Sequence, residues 1–128
     1  MSRIFIIGAT GYIGGDVLYA LTQACRTSEI SALVRNENRA SLTTNKFPSV
    51  TPVIGALDST TQITNEVPKA DVFLHLASSH YLVSATAIAR GLVESKRQRP
   101  VWIQLAGANL LSGPDIAANA YGEPRSEV

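Results

Sequence analysis

Gly8, Gly11 and Gly14 follow directly on the apolar run Arg3-Ile4-Phe5-Ile6-Ile7, which is too short and too β-branched for a helix. An apolar-periodic segment from Tyr12 to Ala24 comes next. Each glycine suits a separate task at its spacing. Gly8 permits a tight turn out of a strand, Gly11 removes a side chain where backbone approaches phosphate, and Gly14 lets a helix pack close to a sheet. The unpaired N–H groups of that helix's first turn, at the positive end of its dipole, then face an anion. This is pyrophosphate-binding chemistry in the strand, loop and helix context that it requires. About twenty residues further on, a second apolar run ends in Ala32-Leu33-Val34-Arg35-Asn36. A carboxylate there would bind a ribose 2′-hydroxyl, whereas a guanidinium pairs bidentately with a 2′-phosphate. Arg35 therefore argues for NADP(H) over NAD(H).

Residues able to move protons are sparse. Ser78, Ser79, His80 and Tyr81 follow the fourth apolar run, and Asn109, Asp115, Tyr121 and Glu123 lie beyond the fifth. His80 is the favoured acid or base, because an imidazole has a reference pKa near ~6.5. Tyr81 and Tyr121 are the other catalytic candidates. His75 stands inside a strand pattern and is expected to be a buried, hydrogen-bonded core residue. No metal site is expected, since two histidines and one cysteine at these separations make no zinc set. No nucleophile elbow and no P-loop lysine motif is present. Cys25, the single cysteine, is expected to be a packed thiol on the apolar side of the first helix, and it suits a reducing compartment.

The elements that must position these groups follow from the alternation of short apolar runs with longer segments, the signature of βαβ units and a parallel sheet. Strands are expected at 3–7, 30–34, 50–54, 71–76 and 101–105, and helices at 11–25, 37–45, 59–67 and 80–98. Right-handed crossovers then give a doubly wound α/β sheet in the order 3-2-1-4-5, Rossmann-like and a single domain. Ligand is expected at the switch between the first and fourth strands, beside Gly8 to Gly14 and Ala77 to His80. The domain is expected to span 1–111. Residues 112–128, rich in Ser, Gly, Pro, Asp and Asn, read as loop or partly ordered C-terminal tail. The apolar strand from Val101 to Leu105 would be a naked edge, so a homodimer through the fifth strand, or covering by the tail, is expected.

Composition narrows the partners. A chain of 128 residues can bury roughly two-thirds of its unfolded surface. Its 45% hydrophobic and 16% charged content belongs to a globular protein. A net charge of +1 argues against nucleic acid, and Lys96, Arg97 and Arg99 are expected to complement the dipole at the end of the helix before them. No run approaches the roughly 18 apolar residues of a membrane span, and no signal-peptide architecture is seen. The expected location is cytoplasmic, and the expected partner is a dinucleotide or small organic ligand.

The string Gly8-Ala9-Thr10-Gly11-Tyr12-Ile13-Gly14, followed by Leu33-Val34-Arg35, resembles the extended and atypical short-chain dehydrogenase/reductase superfamily, most of all its fungal NmrA-like members. Val53-Ile54-Gly55 through Asp58, Asp71 to His75, and Trp102 to Gly107 extend the resemblance over nearly the whole chain. It implies a Rossmann-type domain with NADP(H) across the strand ends. The cofactor-binding residues so expected are Gly8, Thr10, Gly11, Tyr12, Ile13, Gly14, Arg35, Leu57, Asp58, Ala77 and Ser78.

The chain also departs from the family's pattern. Where the family commonly has Gly-Asp-Leu, with the aspartate on the adenine amino group, this chain has Gly55-Ala56-Leu57, and Asp58 is the nearest substitute. Ala106 stands where a serine or threonine would polarise a carbonyl. None of Tyr12, Tyr19, Tyr81 and Tyr121 has a lysine four residues on to lower the phenol's pKa. Arg125 has that spacing from Tyr121, but Gly122 and Pro124 prevent a helical face. The expected function is thus NADP(H) binding by a degenerate short-chain dehydrogenase without standard dehydrogenase activity. Two alternatives stand beside it: a small non-redox isomerase or cyclase of fungal secondary metabolism, and a half-enzyme that works as an oligomer.

Overall fold

The computed structural model describes residues 1–120 and Gly122. Its elements run β1 (Arg3–Ile7), α1 (Tyr12–Ala24), β2 (Glu29–Val34), α2 (Glu37–Lys46), β3 (Val50–Ile54), α3 (Thr60–Glu66) with a 3-10 turn at Val67–Lys69, β4 (Val72–His75), α4 (Leu82–Glu94), β5 (Val101–Gln104) and α5 (Asn109–Ala118). All strands are parallel, in the order β3-β2-β1-β4-β5. This is the doubly wound Rossmann-like sheet that the alternation of runs predicts.

Side chains alternate across a strand, so a central strand covered on both faces must be apolar at every position. In β1, Ile4 and Ile6 join Leu18, Ile30, Ala32, Val50 and Leu74 on the α1 side. Phe5 and Ile7 pack on the other side with Leu33, Ile63, Phe73, Ala87 and Ile88. The Phe5 and Phe73 rings meet with centroids 5.5 Å apart. Pro52 costs no ladder bond of consequence, because β3 is an edge strand.

Two expected element bounds and one expected role are corrected. Helix α4 covers Leu82–Glu94, not 80–98, because Tyr81 is extended at its N-cap and Ser95 is extended at its C-cap. Lys96, Arg97 and Arg99 consequently lie beyond it. Arg97 makes tertiary bonds instead, donating to the Lys69 carbonyl at 2.8 Å and pairing with Asp71 at 3.4 Å. Finally, α5 stands where residues from 112 onward read as loop, despite Pro114 inside it. Its end is set by Asn119 in the left-handed region (φ 54°), where the Ala120 N–H returns to the Asp115 carbonyl at 2.9 Å.

Strand β5 differs from its neighbours in being exposed at all four residues. Trp102 shares the face of Phe73, with ring centroids 6.5 Å apart. Among the described residues no helix is long and apolar enough to cross a membrane.

Candidate functional site

Between β1 and α1 the three glycines separate into two kinds. Gly8 has φ +88°, and a Cβ there would stand 2.7 Å from the Leu76 carbonyl carbon. A Cβ on Gly14 would overlap the Gly8 carbonyl oxygen. Both positions are therefore closed by the protein's own backbone. Gly11 has only the Gly8 oxygen near its Cβ position, at 3.4 Å, and otherwise faces open space. Of the three, Gly11 is the one whose missing side chain leaves room for a ligand. Gly11 is also the N-cap of α1 and offers no side-chain cap, so the first-turn N–H groups have no carbonyl behind them.

A cleft of about 300 Å³ opens beside this loop at the carboxyl ends of the strands. From β1 and the loop come Ile7, Gly8, Thr10 and Gly11, from the end of β2 come Leu33 and Arg35, and from α2 comes Arg39. Gly55, Ala56 and Leu57 follow β3, and Leu76 and Ala77 follow β4. A volume at the lower end of the range for ligand pockets suits part of a dinucleotide.

Arg39 is the member that inspection of the sequence missed. Its place follows from Asn36, whose side-chain oxygen accepts the Arg39 N–H at 3.0 Å and starts α2. That cap turns the fourth residue after Arg35 back over the strand end. The only signal in the sequence is an Asn cap three residues before a second arginine. None of the ion pairs found among the described residues involves Arg35 or Arg39.

Of the expected cofactor residues, Gly8, Thr10, Gly11, Arg35, Leu57 and Ala77 line the cleft. Gly14 lies behind the loop, and Tyr12 and Ile13 line a separate depression with Tyr19 and Lys46. Tyr12 is 99% exposed, and neither it nor Ile13 lines the cleft. Asp58 and Ser78 are exposed and outside the cleft wall. Ala56 is in the wall, and its N–H donates to Ser59 Oγ at 2.9 Å.

His80 and Tyr81 lie in the link between β4 and α4 and do not line the cleft. Tyr81 serves α4 through its carbonyl, which accepts Ser84 Oγ–H at 2.9 Å. Tyr121 and Glu123 fall outside the described residues. His75 is 1% exposed, with Nε2 3.1 Å from Ser84 Oγ and Nδ1 3.2 Å from Gln104 Nε2. The Ser84 proton is already given to Tyr81, so Nε2 donates to Ser84 and Nδ1 accepts from the Gln104 amide. Burial pushes the His75 pKa below its ordinary value, which keeps this neutral tautomer. His75 thus ties β4, α4 and β5 together. Among the described residues no group of His, Cys, Asp and Glu is placed to hold a metal ion.

A model of the NmrA-like family matches residues 1–124. Oxidase ucsJ of an Acremonium species is 36% identical over 129 aligned residues, covering 98% of this chain and 36% of the oxidase. The chain thus spans about a third of that relative's length. Among solved structures, Gre2 of Candida albicans in complex with NADPH superposes with a TM-score of 0.69 at 15% identity, over 84% of this chain and 38% of Gre2. A short-chain dehydrogenase/reductase of Veillonella parvula also reaches 0.69, at 21% identity, over 87% of this chain and 50% of the other.

Proposed function

The chain belongs to the NmrA-like family, and from that premise we propose that its cleft binds NADP(H) through the phosphorylated adenosine half of the cofactor. The observation that carries this reading is the pair Arg35 and Arg39, both in the wall of one cleft beside the glycine loop. A 2′-phosphate needs two to three charge-assisted donors, and two planar guanidinium groups supply them. The pyrophosphate would lie on the open side of Gly11, against the first-turn N–H groups of α1. Gre2, which shares the fold, is described in complex with NADPH, and this supports the same assignment.

Such a cofactor supplies a hydride when bound, but carbonyl reduction also needs a proton donor at the substrate oxygen. The residues after β5, Leu105-Ala106-Gly107-Ala108, carry none. No tyrosine of the chain has a lysine four residues on. On this reading the chain is a cofactor-binding module that lacks the proton donor its family uses in carbonyl reduction. The name of the Acremonium relative belongs to a protein almost three times as long, so its oxidase chemistry is not carried over.

Calorimetric titration with NADPH and NADH tests the reading. NADPH is expected to bind at least tenfold more tightly, and Arg35→Gln or Arg39→Gln to weaken NADPH about tenfold each with NADH unchanged, since a charged hydrogen bond contributes about 1.5 kcal/mol or more. Equal affinity for the two cofactors, unchanged in the variants, would sink the 2′-phosphate assignment.

A further inference from the structure

Resting on the cofactor reading above, we infer that the cleft selects its nucleotide by the 2′-phosphate and accepts the attached base by shape alone. Purines that differ at the exocyclic position then bind alike.

A ribose whose 2′-phosphate lies on Arg35 and Arg39 directs its base toward the end of β3. The walls there are Leu33, Gly55, Ala56 and Leu57. The leucine and alanine side chains carry no hydrogen-bonding atom. Part of the backbone is engaged as well: Gly55 N–H donates to the Val34 carbonyl at 2.8 Å, and Ala56 N–H donates to Ser59 Oγ at 2.9 Å. The Ala56 carbonyl accepts the Ser59 N–H at 3.0 Å. Asp58, the nearest carboxylate in sequence, is exposed and outside the wall, and its carbonyl is engaged by Thr60 N–H at 2.8 Å.

Behind the slot the packing is tight. A Cβ on Gly55 would meet Leu33 Cδ1 at 3.0 Å and Ser59 Cβ at 3.2 Å, so position 55 has little room for a side chain of its own. A site that reads an amino group must offer an acceptor, and a site that reads a carbonyl must offer a donor. No side chain of this wall does either. A planar ring between Leu33 and Leu57 gains burial whichever substituent its rim carries.

The test compares NADPH with reduced nicotinamide hypoxanthine dinucleotide phosphate, in which a carbonyl replaces the adenine amino group and the neighbouring ring nitrogen gains a hydrogen, with NADH as the reference for the phosphate. By calorimetry the two phosphorylated dinucleotides are expected to agree within about threefold, because one hydrogen bond that neither ligand makes cannot separate them. Ala56→Asp, and the uncharged Ala56→Asn, place an acceptor in the wall and are expected to favour NADPH over its deaminated analogue by about fivefold or more. Thermal melting identifies which variant is folded. The inference is overturned if the unsubstituted protein binds the deaminated analogue about tenfold more weakly than NADPH, since a polar group of the wall must then read the edge of the ring. It is equally overturned if a folded position-56 variant still fails to discriminate. Failure of both phosphorylated dinucleotides to bind removes the cofactor reading itself and this inference with it. Discrimination between them with normal NADPH binding removes this inference alone.

Discussion

Strands β1 and β2 are buried over nearly all their length, and their ends deliver Gly8 and Arg35 to the cleft. At the other side of the sheet, β5 is exposed at each of its four residues, and its end leads into Leu105-Ala106-Gly107-Ala108. The cleft-lining groups at the ends of β1 and β2 are fixed by packing on both faces of the sheet, whereas β5 is exposed at every residue and Leu105-Ala106-Gly107-Ala108 offers no side chain that could give a proton. A site is only as well positioned as the elements that carry it, so the β1–β2 side can be specific while the β5 side contributes little.

Backbone at the two ends offers the strongest way to break this contrast. Gly14→Ala is expected to cost on the order of 5 kcal/mol, because its Cβ would overlap backbone that has nowhere to move. Gly113→Ala in α5, with nothing within 4 Å, is expected to be neutral or to stabilise by up to about 1 kcal/mol. Urea unfolding midpoints read both. Similar costs at the two sites would show that the ends of the sheet are equally constrained.

Side-chain truncation sharpens it further. Phe73→Ala removes a ring that is 1% exposed and is expected to cost about 3–4 kcal/mol. Its neighbour Trp102, 37% exposed on the same face, is expected to cost only about 1 kcal/mol on truncation to alanine. Equal losses in chemical denaturation would mean that β5 is covered in solution.

His75 joins the two sides, and it yields the smallest effect. In the folded protein its pKa is lowered by burial, whereas the unfolded chain titrates near the ordinary value of 6.5. As pH falls below that value the unfolded state takes up a proton and the folded state does not. Stability is thus fully present above about pH 6.5 and declines below it, by at most about 1.4 kcal/mol per pH unit, until the folded His75 also titrates. Protonation would further set an Nδ1–H against the Gln104 amide donor. His75→Gln is expected to lower stability at neutral pH and to flatten this decline below about pH 6.5. An unchanged pH slope in that variant would show that another group carries it.

Much of this molecule was legible from local pattern. Short continuous apolar runs alternating with longer segments, the Gly8/Gly11/Gly14 spacing and Arg35 at the end of the second run led to the sheet order, to the loop and to one of the two arginines in the cleft. The helix at Asn109–Ala118 was not legible, because Gly113 and Pro114 oppose it by propensity and its end is set by the hydrogen bonds around Asn119. Arg39 was hidden for a related reason. Its approach to Arg35 depends on how the Asn36 cap turns the chain, not on spacing alone.

The sequence by itself determined the architecture and the glycine loop, because apolar runs and glycine's conformational freedom are properties of neighbouring residues. Only the tertiary structure decided what surrounds them. It brought Arg39 into the cleft, spent the Ala56 N–H on Ser59 and left Asp58 outside the wall. It also turned His75 from a residue that could titrate into a neutral tie between Ser84 and Gln104. These outcomes depend on distances through space and on the count of donors and acceptors at close range, and those are set when the strands and helices pack.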